Sequence, residues 1–143
     1  MILFLDFDGV LHPFSRPNGT LVLVPAVERV LRDFPCVQVV ISSAWRGVHT
    51  LQELRSFFSA DIAARIIGVT PVLDSPDDTG IREAEIRTWL FTAGREDEEW
   101  VALDDIPWFF SPDCTNLLHV DGETGFNSHI EKELRKRFAA EEG

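Results

Sequence analysis

The chain has 143 residues, 45% of them hydrophobic, and a formal net charge of −11 at pH 7. This length suits one domain with its own hydrophobic core, so we predict a single domain over residues 1–143. No apolar run approaches the roughly 18 residues of a membrane span, and we therefore expect no membrane partner.

The net negative charge lies entirely in the second half of the chain. Residues 1–72 hold six acidic and six basic side chains, so the whole excess of −11 belongs to residues 73–143. A surface this acidic repels other polyanions at long range. We therefore expect no strong binding of long nucleic acid, although a local cationic pocket is compatible with this charge.

The two cysteines and the N-terminus bear on the cellular compartment. Cys36 and Cys114 lack the spacing of metal ligands, and Cys36, beside the apolar segment "VQVVI", is predicted to be a small buried hydrophobic residue. Free thiols are typical of a reducing compartment. The short N-terminal apolar run has no basic residues before it, which argues against a signal peptide. We expect a cytoplasmic protein.

Apolar strands and amphipathic helices alternate along the chain. In chain order the predicted elements are a strand at 2–6, a helix at 25–34, a strand at 37–42, a helix at 50–58, a strand at 65–70, a helix at 80–94, strands at 100–105 and 116–120, and a helix at 128–138. Residues 9–24 are predicted to form a short hairpin flap, and Ser128 to cap the last helix. This alternation indicates an α/β fold: a three-layer, doubly wound (Rossmann-like) parallel sheet of about five strands, with no cap domain.

Three of the predicted strands end in pairs of polar residues. These pairs are Asp6 and Asp8, Ser42 and Ser43, and Asp104 and Asp105. Ligands of parallel α/β sheets bind at the carboxyl ends of the strands, so we expect the six side chains to converge at one edge. Four carboxylates that lie close together repel one another unless a cation is present, and a small set of oxygen ligands suits Mg²⁺. The sequence therefore predicts a magnesium site.

Four segments, in a fixed order, resemble the motifs of the haloacid dehalogenase (HAD-like) superfamily of phosphoryl-transfer enzymes. They are "FLDFDGVLHP" (4–13), "VVISSAWR" (39–46), "GIREAEIRTWL" (80–90) and "WVALDD" (100–105). The pairing of "SSAWR" with "IREAEIRTWL" further resembles the small capless branch that includes domains attached to RNA-repair proteins. The resemblance implies a Mg²⁺-dependent phosphomonoester hydrolase that acts through an aspartyl-phosphate intermediate.

The resemblance also implies a role for each motif residue. Asp6 would be the nucleophile that attacks phosphorus, and Asp8 would protonate the leaving oxygen and then activate water. The Asp6 carboxylate, the Asp8 backbone carbonyl and Asp105 would hold the metal ion, with Asp104 in support. Ser42 would donate a hydrogen bond to a phosphoryl oxygen.

Three assignments leave alternatives open: the serine that binds phosphate, the cationic residue of the third motif, and the role of Arg46. Ser43 takes the place of Ser42 if the strand is one residue longer. Arg82 matches the cationic third motif, where Lys is commoner, and Arg can hold two oxygens at once. Arg87 replaces Arg82 if the helix starts later. Arg46 either binds a substrate phosphate or forms an ordinary loop salt bridge.

The substrate is constrained mainly by the missing cap. An uncovered site admits a large substrate, unless a second subunit of a homo-oligomer covers it. Few cationic side chains, one of them Arg16, can lie near the site, and they suffice for one terminal phosphate. We therefore predict a monophosphate on a small molecule or on a short chain end. Trp45 and Trp108 are predicted to line the rim. His12, in the loop after Asp8, is a minor candidate for substrate contact.

Other functions fit parts of the same pattern. One is a polynucleotide-end phosphatase of RNA or DNA repair, and another is a catalytically weak module that binds a phosphorylated ligand. A degenerate module would have lost one of the motif residues, and all of them are intact: Asp6, Asp8, Ser42, Arg82 and Asp105. A receiver domain needs an Asp on its third strand and a Lys on its fifth, and "IIGVT" and "NLLHV" have neither.

Overall fold

Five short strands form a single sheet in the computed structural model, which describes residues 1–142. In chain order they are β1 (Ile2–Leu5), β2 (Gln38–Ile41), β3 (Ile66–Val69), β4 (Trp100–Asp104) and β5 (Leu117–His119). Their order across the sheet is β3-β2-β1-β4-β5, and every neighbouring pair is parallel. The strand order therefore reverses between β1 and β4, which is where doubly wound sheets bind their ligands.

Five helices cover the sheet. They are α1 (Val24–Asp33), α2 (Leu51–Ser56), α3 (Ala60–Ala63), α4 (Ile81–Thr92) and α5 (Ser128–Glu142), and two short 3₁₀ turns lie at Ala44–Gly47 and Pro107–Phe109. Alternate side chains of β1 point to opposite faces. Leu3 and Leu5 pack in the core under α1, α2, α3 and α5, whereas Ile2 and Phe4 pack under α4. The sheet is thus buried on both faces, with four helices on one and α4 alone on the other.

The predicted fold class is confirmed. The sheet is parallel, has five strands and is covered by helices on both sides, and residues 1–142 contain no cap domain. The predicted helix 50–58 is the shorter α2, and the short α3 that follows it was not predicted. Ser59, the residue before α3, donates from its backbone N–H (2.7 Å) and its hydroxyl (2.9 Å) to the buried carboxylate of Glu28 on α1.

The segment 9–24 is not the predicted hairpin. It is a series of turns in which Leu23 donates its backbone N–H to the Leu11 carbonyl (2.9 Å), and Leu21 donates its backbone N–H to Nδ1 of His12 (3.1 Å). Arg16 and Leu21 adopt positive φ angles of 54° and 61°. A side chain thus replaces part of the backbone pairing that a hairpin requires.

Two smaller predictions were wrong. Cys36 is exposed, because it lies in the turn before β2. The start of α5 is capped by Asn127, whose Oδ1 accepts the backbone N–H of Ile130 (3.0 Å), and not by Ser128. Within residues 1–142, no helix combines the length and apolarity that crossing a membrane requires.

The contact between β1 and α4 gives a test of the core. Phe4 is fully buried and meets the rings of Trp89 and Trp100 edge to face, with centroids 5.8 and 5.6 Å apart. Replacing it with alanine leaves a cavity, so Phe4→Ala should lower the free energy of unfolding by about 3–5 kcal/mol. Phe91 is 70% exposed on α4, and Phe91→Ala should change it by less than about 0.5 kcal/mol. Urea denaturation of both variants measures the difference, and equal losses would contradict this packing.

Candidate active site

The carboxyl ends of the three central strands bring the predicted site residues together. Asp6 directly follows β1, Ser42 directly follows β2, and Asp104 is the last residue of β4. The sheet pairing continues one step beyond β1, since Asp6 donates its backbone N–H to Leu103 (3.2 Å) and Ser42 donates its own to Leu5 (3.0 Å). Because β1 lies between its two neighbours, Asp6 occupies the middle of the site.

Three carboxylates form a tight cluster at this edge. Asp6, Asp104 and Asp105 each offer an oxygen within 4.8 Å of the others. Burial, followed by the charge of Asp104, raises the pKa of Asp6 well above its usual value. Burial likewise raises the pKa of Asp104 to about 7 and raises that of Asp105. The cluster is therefore costly in its fully ionised form unless positive charge is added.

Two glycines leave room for the Asp105 side chain. A Cβ at Gly9 would overlap the Asp105 carboxylate, and a Cβ at Gly122 would lie 2.7 Å from its Oδ2. Asp104 accepts the backbone N–H of Ile106 at Oδ1 (2.9 Å), whereas its buried Oδ2 has no hydrogen-bond partner among residues 1–142. Closely spaced oxygens with one left unpaired fit the ligand set of a small divalent cation.

Arg82 supplies positive charge from the first turn of α4. Its Nε lies 3.6 Å from Oδ2 of Asp104, and its Nη1 donates to Glu85 (2.6 Å). The guanidinium lies over the ring of Phe109, with Cζ 5.2 Å from the centroid. Arg87, the alternative, is on the outer side of α4 and pairs with Glu83 (2.8 Å). Of the two arginines, Arg82 is therefore the one at the site.

Arg46 is held by the protein on several sides. Its guanidinium donates to the carbonyls of Ser43 (2.7 Å) and Thr70 (3.0 Å) and pairs with the buried carboxylate of Glu85 (2.8 Å). Of the two alternatives for Arg46, the structure thus contains the salt bridge. Glu85 is shared, because it also pairs with Arg82. Binding of a substrate phosphate by Arg46 stays a prediction.

The two serines differ in what their hydroxyl groups do. Oγ of Ser43 accepts the backbone N–H of Trp45 (3.2 Å) and caps the 3₁₀ turn that starts at Ala44. Oγ of Ser42 is buried and has no hydrogen-bond partner in the described part of the chain. Of the two serines, Ser42 is therefore the one whose hydroxyl makes no hydrogen bond within the described residues.

Asp8 has an environment opposite to that of the cluster. Its Oδ1 accepts from Nε2 of His12 and from Arg16, both at 2.8 Å, and its Oδ2 accepts from Nε1 of Trp45 (3.1 Å). Burial alone would raise the pKa of Asp8, but the hydrogen bonds from His12 and Trp45 and the charge of Arg16 outweigh it. The pKa of Asp8 is consequently lowered.

A cavity of about 210 Å³ opens beside these groups. Its lining combines charged and apolar side chains: Asp6, Asp8, Phe14, Ala44, Arg82, Asp105, Ile106 and Phe109. Phe14, which is 69% exposed, was missed by the sequence analysis, and an aromatic residue in a polar loop was the signal for it. Trp45 instead packs on Phe7 below the rim, and Trp108 is 61% exposed beside Phe109.

The raised pKa of Asp104 predicts a pH dependence of stability. Between its ordinary pKa of 3.8 and the folded value of about 7, the folded protein binds more protons than the unfolded chain. Stability therefore falls as the pH rises through this window. As the pH rises through this window, the free energy of unfolding of metal-free wild type should fall relative to that of Asp104→Asn, whose amide cannot ionise. Urea denaturation at intervals across that range measures the difference, and a difference independent of pH would contradict the shift.

The chain matches a known protein family. Residues 2–129 match the family described as "HAD domain in Swiss Army Knife RNA repair proteins". No curated protein and no solved structure matches the chain. The matched range holds all the residues of the site described above, and it confirms the resemblance predicted from the four sequence motifs. The chain therefore belongs to the family of HAD domains in Swiss Army Knife RNA repair proteins.

Proposed function

We propose that this chain is a magnesium-dependent phosphomonoester hydrolase that forms a phosphorylated Asp6. The observation that carries the proposal is the carboxylate cluster of Asp6, Asp104 and Asp105, which shares one sheet edge with the unpaired hydroxyl of Ser42 and with Arg82. Such a set combines a nucleophile, ligands for a cation and donors for phosphoryl oxygens. Membership of the HAD family supports a phosphatase-type hydrolase.

The proposed reaction has two steps that share Asp8. First, an Asp6 carboxylate oxygen attacks phosphorus, the bond from phosphorus to the leaving oxygen breaks, and Asp8 gives that oxygen its proton. Second, a water oxygen attacks phosphorus, Asp8 takes a proton from the water, and the bond between phosphorus and Asp6 breaks. Asp8 ends protonated, as it began, so the net reaction consumes one water and releases an alcohol and phosphate.

The two protonation states of Asp8 correspond to the two steps. In the free protein its hydrogen bonds and Arg16 lower its pKa, which favours the ionised form that the second step needs. An anionic phosphate beside Asp8 raises that pKa, because a like charge disfavours the carboxylate. Substrate therefore favours the protonated form that the first step needs. Ser42 and Arg82 would meanwhile donate to the phosphoryl oxygens.

The cluster also supports the proposed metal. The carboxylates of Asp6 and Asp105 and the backbone carbonyl of Asp8 would hold Mg²⁺, with Asp104 in support. When bound, the ion would neutralise charge on the carboxylates and on the phosphoryl oxygens. Oδ2 of Asp104, which accepts no hydrogen bond, and the space that Gly9 leaves for Asp105 support this fit.

The cavity supports a monophosphate on a small molecule or on a short chain end. Its volume of about 210 Å³ has room for a phosphoryl group and part of the molecule that carries it, and the aromatic rings of Phe14 and Phe109 lie beside it. The leaving group would extend past these rings into solvent. The free thiols of Cys36 and Cys114 support the cytoplasm as the proposed compartment.

A second candidate is an end phosphatase of RNA, which the description of the family favours. The net charge of −11 opposes long nucleic acid but permits one terminal phosphate. Rates on small phosphate esters and on oligonucleotides with 3′ or 5′ phosphates, measured with Mg²⁺ at two salt concentrations, separate the candidates. A strong preference for oligonucleotide ends that persists at the higher salt concentration would favour the RNA-end phosphatase.

The nucleophile and the metal give the direct test of the proposed function. Hydrolysis of a phosphomonoester should stop in excess chelator and return with Mg²⁺. Asp6→Asn should abolish turnover, because an amide cannot form the acyl phosphate, and the fold should persist because the side-chain shape is kept. Phosphate release reports turnover, and circular dichroism reports the fold.

The matched control is Asp113→Asn, which changes an exposed aspartate outside the site. It should keep the wild-type rate. Full activity of wild type in excess chelator would contradict the mechanism. So would turnover by Asp6→Asn, or trapping of beryllium fluoride on a residue other than Asp6. Binding of a phosphorylated ligand without any turnover by wild type would favour a binding module instead.

The cradle of Asp105 gives a second test. Gly9 (φ 76°) and Gly80 (φ 71°) both have backbones that disfavour alanine, so each Gly→Ala change should cost on the order of 1 kcal/mol of stability. Only at Gly9 does the added Cβ overlap Asp105, since Gly80 has no atom within 4 Å of a Cβ. Gly9→Ala should therefore weaken Mg²⁺ binding, whereas Gly80→Ala should not. Calorimetric titration with Mg²⁺ measures this, and equal affinities would contradict the role of Asp105.

A further inference from the structure

We propose that His12 is a positioning residue for Asp8, and that it reserves Oδ2 of Asp8 as the oxygen that carries the transferred proton. This inference rests on the proposed function, in which Asp8 is the general acid and base. From the sequence, His12 is a candidate for substrate contact only. The structure places it elsewhere: it is fully buried, is absent from the lining of the cavity and hydrogen-bonds to Asp8.

The hydrogen bonds of His12 assign its tautomer. Nδ1 accepts the backbone N–H of Leu21 (3.1 Å), so Nδ1 carries no proton. A neutral imidazole with an accepting Nδ1 has its proton on Nε2. Nε2 lies 2.8 Å from Oδ1 of Asp8 and therefore donates to it. The backbone N–H of Leu21 thus determines which nitrogen of His12 carries the proton.

Counting acceptor positions distinguishes the two oxygens of Asp8. A carboxylate oxygen has two lone pairs. Oδ1 accepts both His12 and Arg16, so its positions are filled. Oδ2 accepts Trp45 alone and keeps one position open. The open position on Oδ2 is where the proton resides before it passes to the leaving oxygen, and where a proton from water arrives in the second step.

The surroundings of His12 make it a firm support. Its ring lies 6.0 Å from that of Trp45, centroid to centroid, and its backbone packs against Gly125, where a Cβ would lie 3.3 Å from the His12 carbonyl carbon. The neighbouring backbone is tied down, since Phe126 donates to the carbonyl of Val10 (2.8 Å). Arg16, the other donor to Oδ1, has a side chain that is 42% exposed. Of the two donors to Oδ1, His12 is therefore the more firmly held.

This role should appear selectively in substrates that need an acid. An alkyl phosphate releases a strongly basic alkoxide, so its departure depends on the proton from Asp8. A nitrophenyl phosphate releases a stable anion and hardly needs that proton. The value of kcat/KM covers the steps up to departure of the leaving group, and it reports the acid role alone. Loss of His12 should thus lower kcat/KM for the alkyl ester far more than for the aryl ester.

The experiment compares His12→Asn and His12→Gln on glycerol 2-phosphate and p-nitrophenyl phosphate. The glutamine amide nitrogen can occupy the place of Nε2, whereas the asparagine nitrogen falls short of it. His12→Asn should lower kcat/KM by on the order of 10² for the alkyl ester, the lower range of general acid catalysis, and by less than about threefold for the aryl ester. His12→Gln should recover most of the loss. His129→Asn, at an exposed histidine of α5, is the control and should match wild type.

Coupling to Asp8 gives a second measurement. If His12 acts only through Asp8, then His12→Asn should cost nothing further for the alkyl ester when Asp8→Asn is already present. Losses that multiply in the double variant would overturn the proposal. Equal losses on both esters, or no loss on either, would also overturn it while leaving the proposed function in place. Failure of wild type to hydrolyse either ester would reject both.

The tautomer can be measured without any turnover, which keeps the proposal testable if a His12 variant fails to fold. Nitrogen-15 chemical shifts of the histidines in metal-free wild type should show His12 protonated at Nε2 and unprotonated at Nδ1. The opposite tautomer would overturn the proposal, because Nε2 could not then donate to Asp8.

Discussion

Repulsion among three carboxylates is the constraint on which this site depends. Asp6 and Asp104 end adjacent parallel strands, whose spacing of about 4.8 Å is set by the backbone hydrogen bonds of the sheet. Rotation of the side chains cannot take them far apart while the sheet stays intact. Burial removes the water that would otherwise screen the charges. The fold therefore creates a demand for positive charge at one point, and Arg82 meets part of it from the helix above.

The same edge gives two nearby aspartates opposite character. Asp6 lies among other acids and is buried, so its pKa is raised, whereas Asp8 lies among donors and its pKa is lowered. The two residues are separated by one position, Phe7, whose side chain is buried in the core. Environments that push neighbouring pKa values apart are how enzymes assign different tasks to chemically identical groups. In this chain the difference arises from the flap on one side and the strand β4 on the other.

Much of this arrangement could be predicted from sequence because it follows from periodic patterns. Apolar runs gave the strands, their ends gave Asp6, Ser42 and Asp104, and parallel pairing brought these together. The contacts that the pattern left out are those between segments with no common period. Arg46 donates to the carbonyl of Thr70, which lies 24 residues away, and His12 accepts the backbone N–H of Leu21 within a series of turns.

Boundaries of elements explain the smaller errors. Cys36 lies in the turn before β2 and is exposed, although its neighbour Val37 is buried. The aromatic residues show a similar limit. Composition indicated aromatic rings near the site, but their order from the cavity outwards depends on the loop conformation. Trp45 turned inward to bond Asp8, and Phe14 took the exposed place.

The shared use of Glu85 gives a physical reason for an arginine, rather than a lysine, at position 82. Nη1 of Arg82 donates a hydrogen bond to Glu85, and its Nε faces Asp104. A single guanidinium therefore contacts two acids and retains further N–H donors. A lysine ammonium is a point charge on a flexible stem and would have to choose among these partners. Glu85 also anchors Arg46 and the backbone of Leu73, so its loss would loosen two loops at once. A lysine at position 82 would therefore leave either Glu85 or Asp104 without its contact to this residue.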